Sequence, residues 1–299
     1  MRASYCDGYY VPLPEVHPFP MAKFPALHRR LLREGLLRAE NVVAPRPADW
    51  SDLLRVHTSA YLRALAEGAL SEQAERRMGL PWSERLVWRS RLAVQGPVNA
   101  ALMALEDGVA ANLAGGTHHA FPGYGEGFCV LNDVAVAVRL LRRSRWIERA
   151  LIVDLDVHQG NANAAYFADT EAVFTFSLHA ANNYPFEKPA SSLDVALPDD
   201  PGDAAYLNAL KTHLPGVLDA ARPDLIFYLG GIDVAAGDRF GRINLSREGL
   251  RERDRYALSR LAAHDAPVTL LLSGGYADTP DATADLHAEM HRAAHDVFG

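Results

Sequence analysis

The stretch Leu151–Asn163 reads LIVDLDVHQGNAN, an apolar run that ends by placing two carboxylates and an imidazole at alternate positions: Asp154, Asp156 and His158. Successive side chains of a strand point to opposite faces, so these three share one face while Val153, Leu155 and Val157 take the other. An oxygen donor and a nitrogen donor at D-x-H spacing can chelate one ion at a strand end. Asp233, in GGIDVAAGD, is the candidate to complete the set. Two carboxylates and one imidazole balance a divalent cation and leave a coordination position open for water, the arrangement of a catalytic centre. Zinc is the natural choice, and ferrous iron accepts the same donors.

A lone D-x-H more often does no more than finish a strand. What changes the balance is that four other apolar runs end in a similar way: GGTHH follows VAANLA, SLH follows AVFTF, GGID follows LIFYL, and SGGY follows VTLLL. In open parallel sheets, ligands bind at the carboxyl ends of the strands. His118 and His119 could each act on a metal-bound water or a leaving amine. Asp154 would be a costly unpaired charge unless a histidine partners it. The Tyr276 phenol could hydrogen-bond a developing oxyanion. Taken singly, a His-His pair is usually inert surface and a tyrosine usually packing.

The elements that must hold these residues follow from periodicity. From residue 109 onward the five runs alternate with helical patterns at 131–146, 161–168, 203–221 and 246–263, with a closing helix over 280–297. This predicts an α/β fold with a mostly parallel sheet and helices on both faces. The first of these helices sets Leu131, Val134, Val138 and Leu141 against its arginines, as a helix packed on a sheet does. Before residue 109 the chain reads as mainly helical, covering one side of the sheet. Loops are expected at 13–25 and 45–50, and Pro97 should bend or divide the long helix around it.

With 299 residues, 49% of them hydrophobic, and no repeat or linker, one domain over 1–299 is the simplest division. A net charge of −7 argues against binding to nucleic acid or anionic membrane. Cys6 and Cys129 have no CxxC spacing, so neither a disulfide framework nor a thiolate metal site is expected. The N-terminus lacks a signal-peptide core and no run is long enough for a membrane span, so a cytoplasmic location is expected.

Together, GGTHHAFPGYGEGFCVLNDVAVA, LIVDLDVHQGNAN, SLH, GGIDVAAGDRFGRINLS and SGGY resemble the zinc-dependent histone deacetylase superfamily, with HPFPMAKF and VHTSAYL extending the likeness over nearly the whole chain. The short form resembles class IV deacetylases and their bacterial relatives, which implies a three-layer, arginase-like fold. The resemblance implies Asp156, His158 and Asp233 as metal ligands, and His119 as general base and then acid. It implies that His118, bonded to Asp154, assists electrostatically and that Tyr276 polarises the amide carbonyl. Gly127 and Phe128 match the wall of a substrate tunnel; the second aromatic is assigned to Tyr184, with Phe186 as the alternative. A potassium ion is implied beneath the metal, at Asp154, Asp156, His158, Ser177 and Leu178.

Two departures stand out. Asn161 occupies the place where many lysine deacetylases pair an aspartate with the second histidine, which favours His119 as base over acid. No acidic residue of SEQAERRMGLPW is readily matched to the loop that grips the substrate backbone in class I enzymes. The substrate is therefore expected to be an acylated lysine or an acylated small amine. An acetylpolyamine amidohydrolase is the nearest alternative, to which Glu126 or Glu187 at the mouth would contribute. A ureohydrolase would need more carboxylates for two manganese ions, and a catalytically inactive metal-binding module would keep the fold and the ion without turnover.

Overall fold

The computed structural model describes residues 1–299. In chain order the elements are β1 (Arg2–Ser4), α1 (Lys23–Arg33), β2 (Val42–Val43), α2 (Trp50–Leu53), α3 (Ser59–Glu67), α4 (Glu72–Met78), α5 (Glu84–Asp107), β3 (Val109–Asn112), α6 (Asp133–Arg143), β4 (Ala150–Asp154), α7 (Asn161–Phe167), β5 (Val173–Ala180), β6 (Leu193–Leu197), α8 (Gly202–Ala221), β7 (Leu225–Leu229), α9 (Arg247–Ala262), β8 (Val268–Leu271) and α10 (Pro280–Phe298). The strands form one sheet in the order β2-β1-β3-β8-β7-β4-β5-β6. Every pairing is parallel.

The central strands β3, β4, β7 and β8 are buried along their whole length, which is why they read as unbroken apolar runs rather than alternations. Their side chains feed two cores. In β4, Leu151 and Val153 join the cluster packed with α1, α8, α9 and α10, while Ala150 and Ile152 join the cluster packed with α3, α5 and α6. Helices thus lie on both faces, giving three layers. No helix is long and apolar enough to cross a membrane.

Several expectations need correction. The hydrogen-bonded part of β4 stops at Asp154, so Asp156 and His158 belong to the turn beyond it. Alternation nonetheless carries through, because Leu155 and Val157 stay in the same core as Leu151 and Val153. In contrast, β5 runs on to Ala180, which puts Ser177 and Leu178 inside the strand and not after it. The part before residue 109 does not cover one side alone: α1 packs in the first core and α3 in the second, with α5 contributing to both.

Pro97 does not divide its helix, since α5 is continuous across it. Burial against the sheet outweighs the lost hydrogen bond. The approach is so close at Gly96 that an added Cβ would collide with Asn112 Oδ1. Pro25 belongs to α1 rather than to a loop, in the first turn, where no intrahelical donor is lost.

Candidate metal centre and catalytic cleft

Strands β3, β8, β7, β4 and β5 are consecutive in the sheet, so the five motif-bearing ends converge on one crevice. The loop after β3 is tied down by Asp133 at the start of α6. Its carboxylate accepts from the backbone N–H of Gly116 (2.9 Å) and Thr117 (2.8 Å) and from the Thr117 hydroxyl (2.6 Å). That clamp delivers His118 and His119 to the cleft floor.

Asp156, His158 and Asp233 come together, each offering a donor atom within 4.8 Å of the others, all buried. His158 Nδ1 lies 3.0 Å from Asp156 Oδ1 and 3.2 Å from Asp233 Oδ2. The other carboxylate oxygens are held from behind: Asp156 Oδ2 accepts from the Ser273 hydroxyl (2.7 Å) and Gly274 N–H (2.6 Å), and Asp233 Oδ1 accepts from Val157 N–H (3.0 Å). Asp233 Oδ2 accepts no hydrogen bond although fully buried. At Gly274 an added Cβ would collide with that same oxygen, so the chain is cut back to make room around it. An oxygen–nitrogen donor set, an orphaned carboxylate oxygen and a cleared cradle fit a divalent cation.

In the metal-free site His158 and Asp233 are pushed toward holding protons, while Asp156 is held well below the usual carboxylate range, the neighbouring His118 and His158 outweighing its burial. Burial opposes charge on His158, but the hydrogen bond to Asp156 and the adjacent Asp233 carboxylate push it up to about 10. Burial, with the Asp156 charge, pushes Asp233 up to about 7. A ligating imidazole must be neutral, so a proton held on His158 below about 10 has to leave on metal binding. Binding at pH 7 is therefore expected to release about one proton or more per metal, and affinity to fall as pH falls. Calorimetric titration of divalent metal in buffers of different ionisation heat checks this; a heat independent of the buffer would contradict it.

The histidine pair splits in character. His118 Nδ1 donates to Asp154 Oδ2 at 2.7 Å. Burial works against its charge, yet Asp154 and Asp156 outweigh it and push His118 up to about 9. His119, its ring centroid 4.0 Å from that of His118, is driven well below the usual histidine value by burial and then by the neighbouring His118 and His158 charges. Its Nδ1 lies 2.7 Å from Asn161 Oδ1, which leaves Nε2 as its other nitrogen. The depression of His119 comes from these surroundings; the Asn161 hydrogen bond acts in the opposite direction.

Above the floor lies a cavity of about 370 Å³ lined by His118, His119, Asp156, His158, Gly127, Phe128, Tyr184 and Tyr276, among others. Gly127 (φ 57°) and Phe128 (φ 65°) both take left-handed backbone, and an added Cβ at Gly127 would lie 2.8 Å from His119 Cδ2. Only glycine lets the chain pass that ring. Phe186 is 92% exposed and does not line the cavity. Asp154 pairs with Ser177 in the β4–β5 register, so the strand residues considered for a monovalent cation are neighbours.

Several contributors escaped the sequence reading. Phe19 and Phe240 stand 5.4 Å and 6.0 Å from Phe128, centroid to centroid, and complete the wall. Asp238 accepts from Tyr276 N–H (2.6 Å), Phe240 N–H (2.9 Å) and Gly241 N–H (3.1 Å), clamping the loop behind Tyr276. Lys23 is buried, with Nζ 3.3 Å from the Ser273 and Gly275 carbonyls, and burial lowers it to about 8. Its place in HPFPMAKF is the only sequence signal it carried. At the mouth, Arg76 and Arg77 line the cavity. The acidic residues of the same segment are engaged locally, Glu72 with Arg76 and Glu75 with the Trp82 N–H.

Residues 17–293 match the family described as histone deacetylase domain. An uncharacterised protein of Picosynechococcus sp. strain PCC 7002 is 46% identical over 294 residues, 98% of each chain. Histone deacetylase 2 of Arabidopsis thaliana is 28% identical over 283 residues, covering 92% of this chain and 73% of that one. Among solved structures, a histone deacetylase homologue complexed with SAHA superposes with a TM-score of 0.79 at 26% identity, over 97% of this chain and 83% of the other.

Proposed function

The chain belongs to the histone deacetylase family, and from that premise we propose that it is a metal-dependent amidohydrolase removing an acyl group from the ε-amine of lysine. The observation that carries this reading is the convergence of three donor atoms within 4.8 Å at the floor of a cavity walled by aromatic rings.

Asp156, His158 and Asp233 would hold the ion, for which we propose zinc, with ferrous iron as the alternative. When bound, such an ion supplies Lewis-acid polarisation of the acyl carbonyl and of the attacking water. His119, neutral at neutral pH, takes the proton of that water and passes it to the leaving amine. His118, kept protonated beside Asp154, contributes positive charge next to the reacting centre. Tyr276 donates its hydroxyl to the developing oxyanion. Phe128 and Tyr184 flank the alkyl stem of the substrate and Gly127 meets it through backbone. The products are a carboxylate and a free amine. A potassium ion at Asp154, Asp156, His158, Ser177 and Leu178 would balance the remaining carboxylate charge. The single sheet spanning the chain supports one domain over 1–299.

The mouth favours an acylated lysine over an acylated polyamine. Arg76 and Arg77 are the exposed charged residues among those lining the cavity, and Glu126 is already paired with Arg77 at 2.8 Å. The test is hydrolysis by the zinc-loaded protein of acyl-lysine peptides carrying acetyl to long-chain groups, beside acetylpolyamines. Release of free lysine amine, abolished by chelation, is expected. Turnover of the polyamines alone would overturn the substrate assignment, and turnover of neither, with hydroxamate still bound, would overturn catalysis.

A further inference from the structure

Where an aspartate could have partnered His119 there is an amide, yet a carboxylate is present one step further out. His119 Nδ1 meets Asn161 Oδ1 at 2.7 Å. Asn161 Nδ2 donates to Glu126 Oε1 at 3.2 Å, and Glu126 Oε2 accepts from Arg77 Nε at 2.8 Å. The Glu126 side chain is 12% exposed, and the Arg77 guanidinium lies 4.0 Å from the centroid of the Tyr124 ring. The series runs from the cavity floor to its rim without a gap.

An asparagine has two ends of nearly the same shape and opposite hydrogen-bonding sense. With Oδ1 toward His119, the imidazole carries its proton on Nδ1 and keeps a lone pair on Nε2. With the amide turned over, Nδ2–H would face Nδ1, the ring proton would move to Nε2, and the ring could not accept a proton there. A carboxylate on the far side accepts only, so it pairs with Nδ2 and opposes the turned-over amide, which would set oxygen against oxygen. The Ala162 N–H, 3.0 Å from Asn161 Oδ1, acts in the same sense.

We propose that Glu126 is a positioning residue: through Asn161 it fixes His119 in the Nδ1–H form, supplying from a second position the orientation that a directly bonded carboxylate would give. This rests on the role proposed above for His119. The Glu126 backbone is held independently by reciprocal bonds with Cys129 (3.0 Å and 2.9 Å), so side-chain changes at 126 leave the turn that presents Gly127 and Phe128 in place.

The pair permits an exchange test. In Asn161→Asp two carboxylates face each other with no hydrogen between them. Adding Glu126→Gln restores the sense of the series, since the glutamine amide donates to the new carboxylate at position 161 while its carbonyl accepts from Arg77. With a zinc-loaded protein and an acetyl-lysine peptide, Asn161→Asp alone is expected to lower kcat about ten-fold or more with little change in KM, and the double variant to regain most of it. Losses in the double variant equal to the product of the single losses would overturn the proposal. A second reading needs no turnover: histidine side-chain ¹⁵N spectra of the metal-free protein are expected to show the His119 proton on Nδ1 in the wild type, and the other tautomer populated in Glu126→Ala. An unchanged spectrum in a Glu126→Ala protein with a wild-type melting temperature would overturn the proposal. If the wild type hydrolyses no acylated amine, the proposed function fails, and the spectra still decide the role of Glu126.

Discussion

His119→Ala is expected to lower kcat by about 10²–10⁴ while leaving metal content and melting temperature near wild type, because it removes the group proposed to move the proton and none of those proposed to hold the ion. Of the two adjacent histidines, only this one is free to accept a proton. His118 is pushed up to about 9 and is already protonated at neutral pH, whereas His119 is held well below the ordinary 6.5. The sign for pH follows: a base with a lowered pKa keeps its lone pair as pH falls, so the acid limb of kcat/KM that it governs lies below pH 6.5. Steady-state kinetics of His119→Ala and His118→Ala across pH 5–9, with metal analysis of each, check this. A His119→Ala enzyme within ten-fold of wild type, beside an inactive His118→Ala, would reverse the two roles.

The second large effect concerns stability and lies behind the metal centre. Arg253 of α9 is fully buried. Its Nη1 donates to the Leu155 carbonyl (3.2 Å) and the Gly231 carbonyl (2.5 Å), and its Nε to Asp254 Oδ1 (2.9 Å), which also accepts from the Tyr228 hydroxyl (2.5 Å). Leu155 sits between Asp154 and Asp156, and Gly231 two residues before Asp233, so a single guanidinium laces the two ligand-bearing turns together. Arg253→Leu leaves the Asp254 charge buried without its partner and two carbonyls unbonded, an expected cost of about 3–5 kcal/mol. Replacing Asp254 and Tyr228 as well, by leucine and phenylalanine, removes the stranded polar groups and should return a large part of that loss. Chemical denaturation of the metal-free proteins measures both; a single variant as stable as wild type would refute the lacing role.

Much of the cleft was legible in the sequence because its parts are local. Strand ends rich in glycine and polar residues announce themselves when the strands are apolar throughout, and β3, β4, β7 and β8 are apolar because both of their faces are covered. The short edge strands β1 and β2 carry too few residues to form a pattern, and β6 is only half buried, so its alternation is diluted. Contacts between remote segments left no trace. Nothing in GEGF says that Glu126 will meet Asn161, 35 residues later, and nothing in RERDRY says that Arg253 will reach Leu155. The continuity of α5 through Pro97 was likewise decided by what packs on that helix rather than by its own residues.

The strand order has an effect on how the protein comes into being. β8, the last strand to leave a ribosome, sits between β3 and β7, both of which emerge earlier. A nascent chain that ends before Val268 therefore has two unjoined half-sheets: one bears His118 and His119, the other Asp156, His158 and Asp233. The residues proposed for catalysis are divided between them until the final strand slides in and brings Tyr276 with it, so a chain that stops short of that strand does not hold the whole cleft.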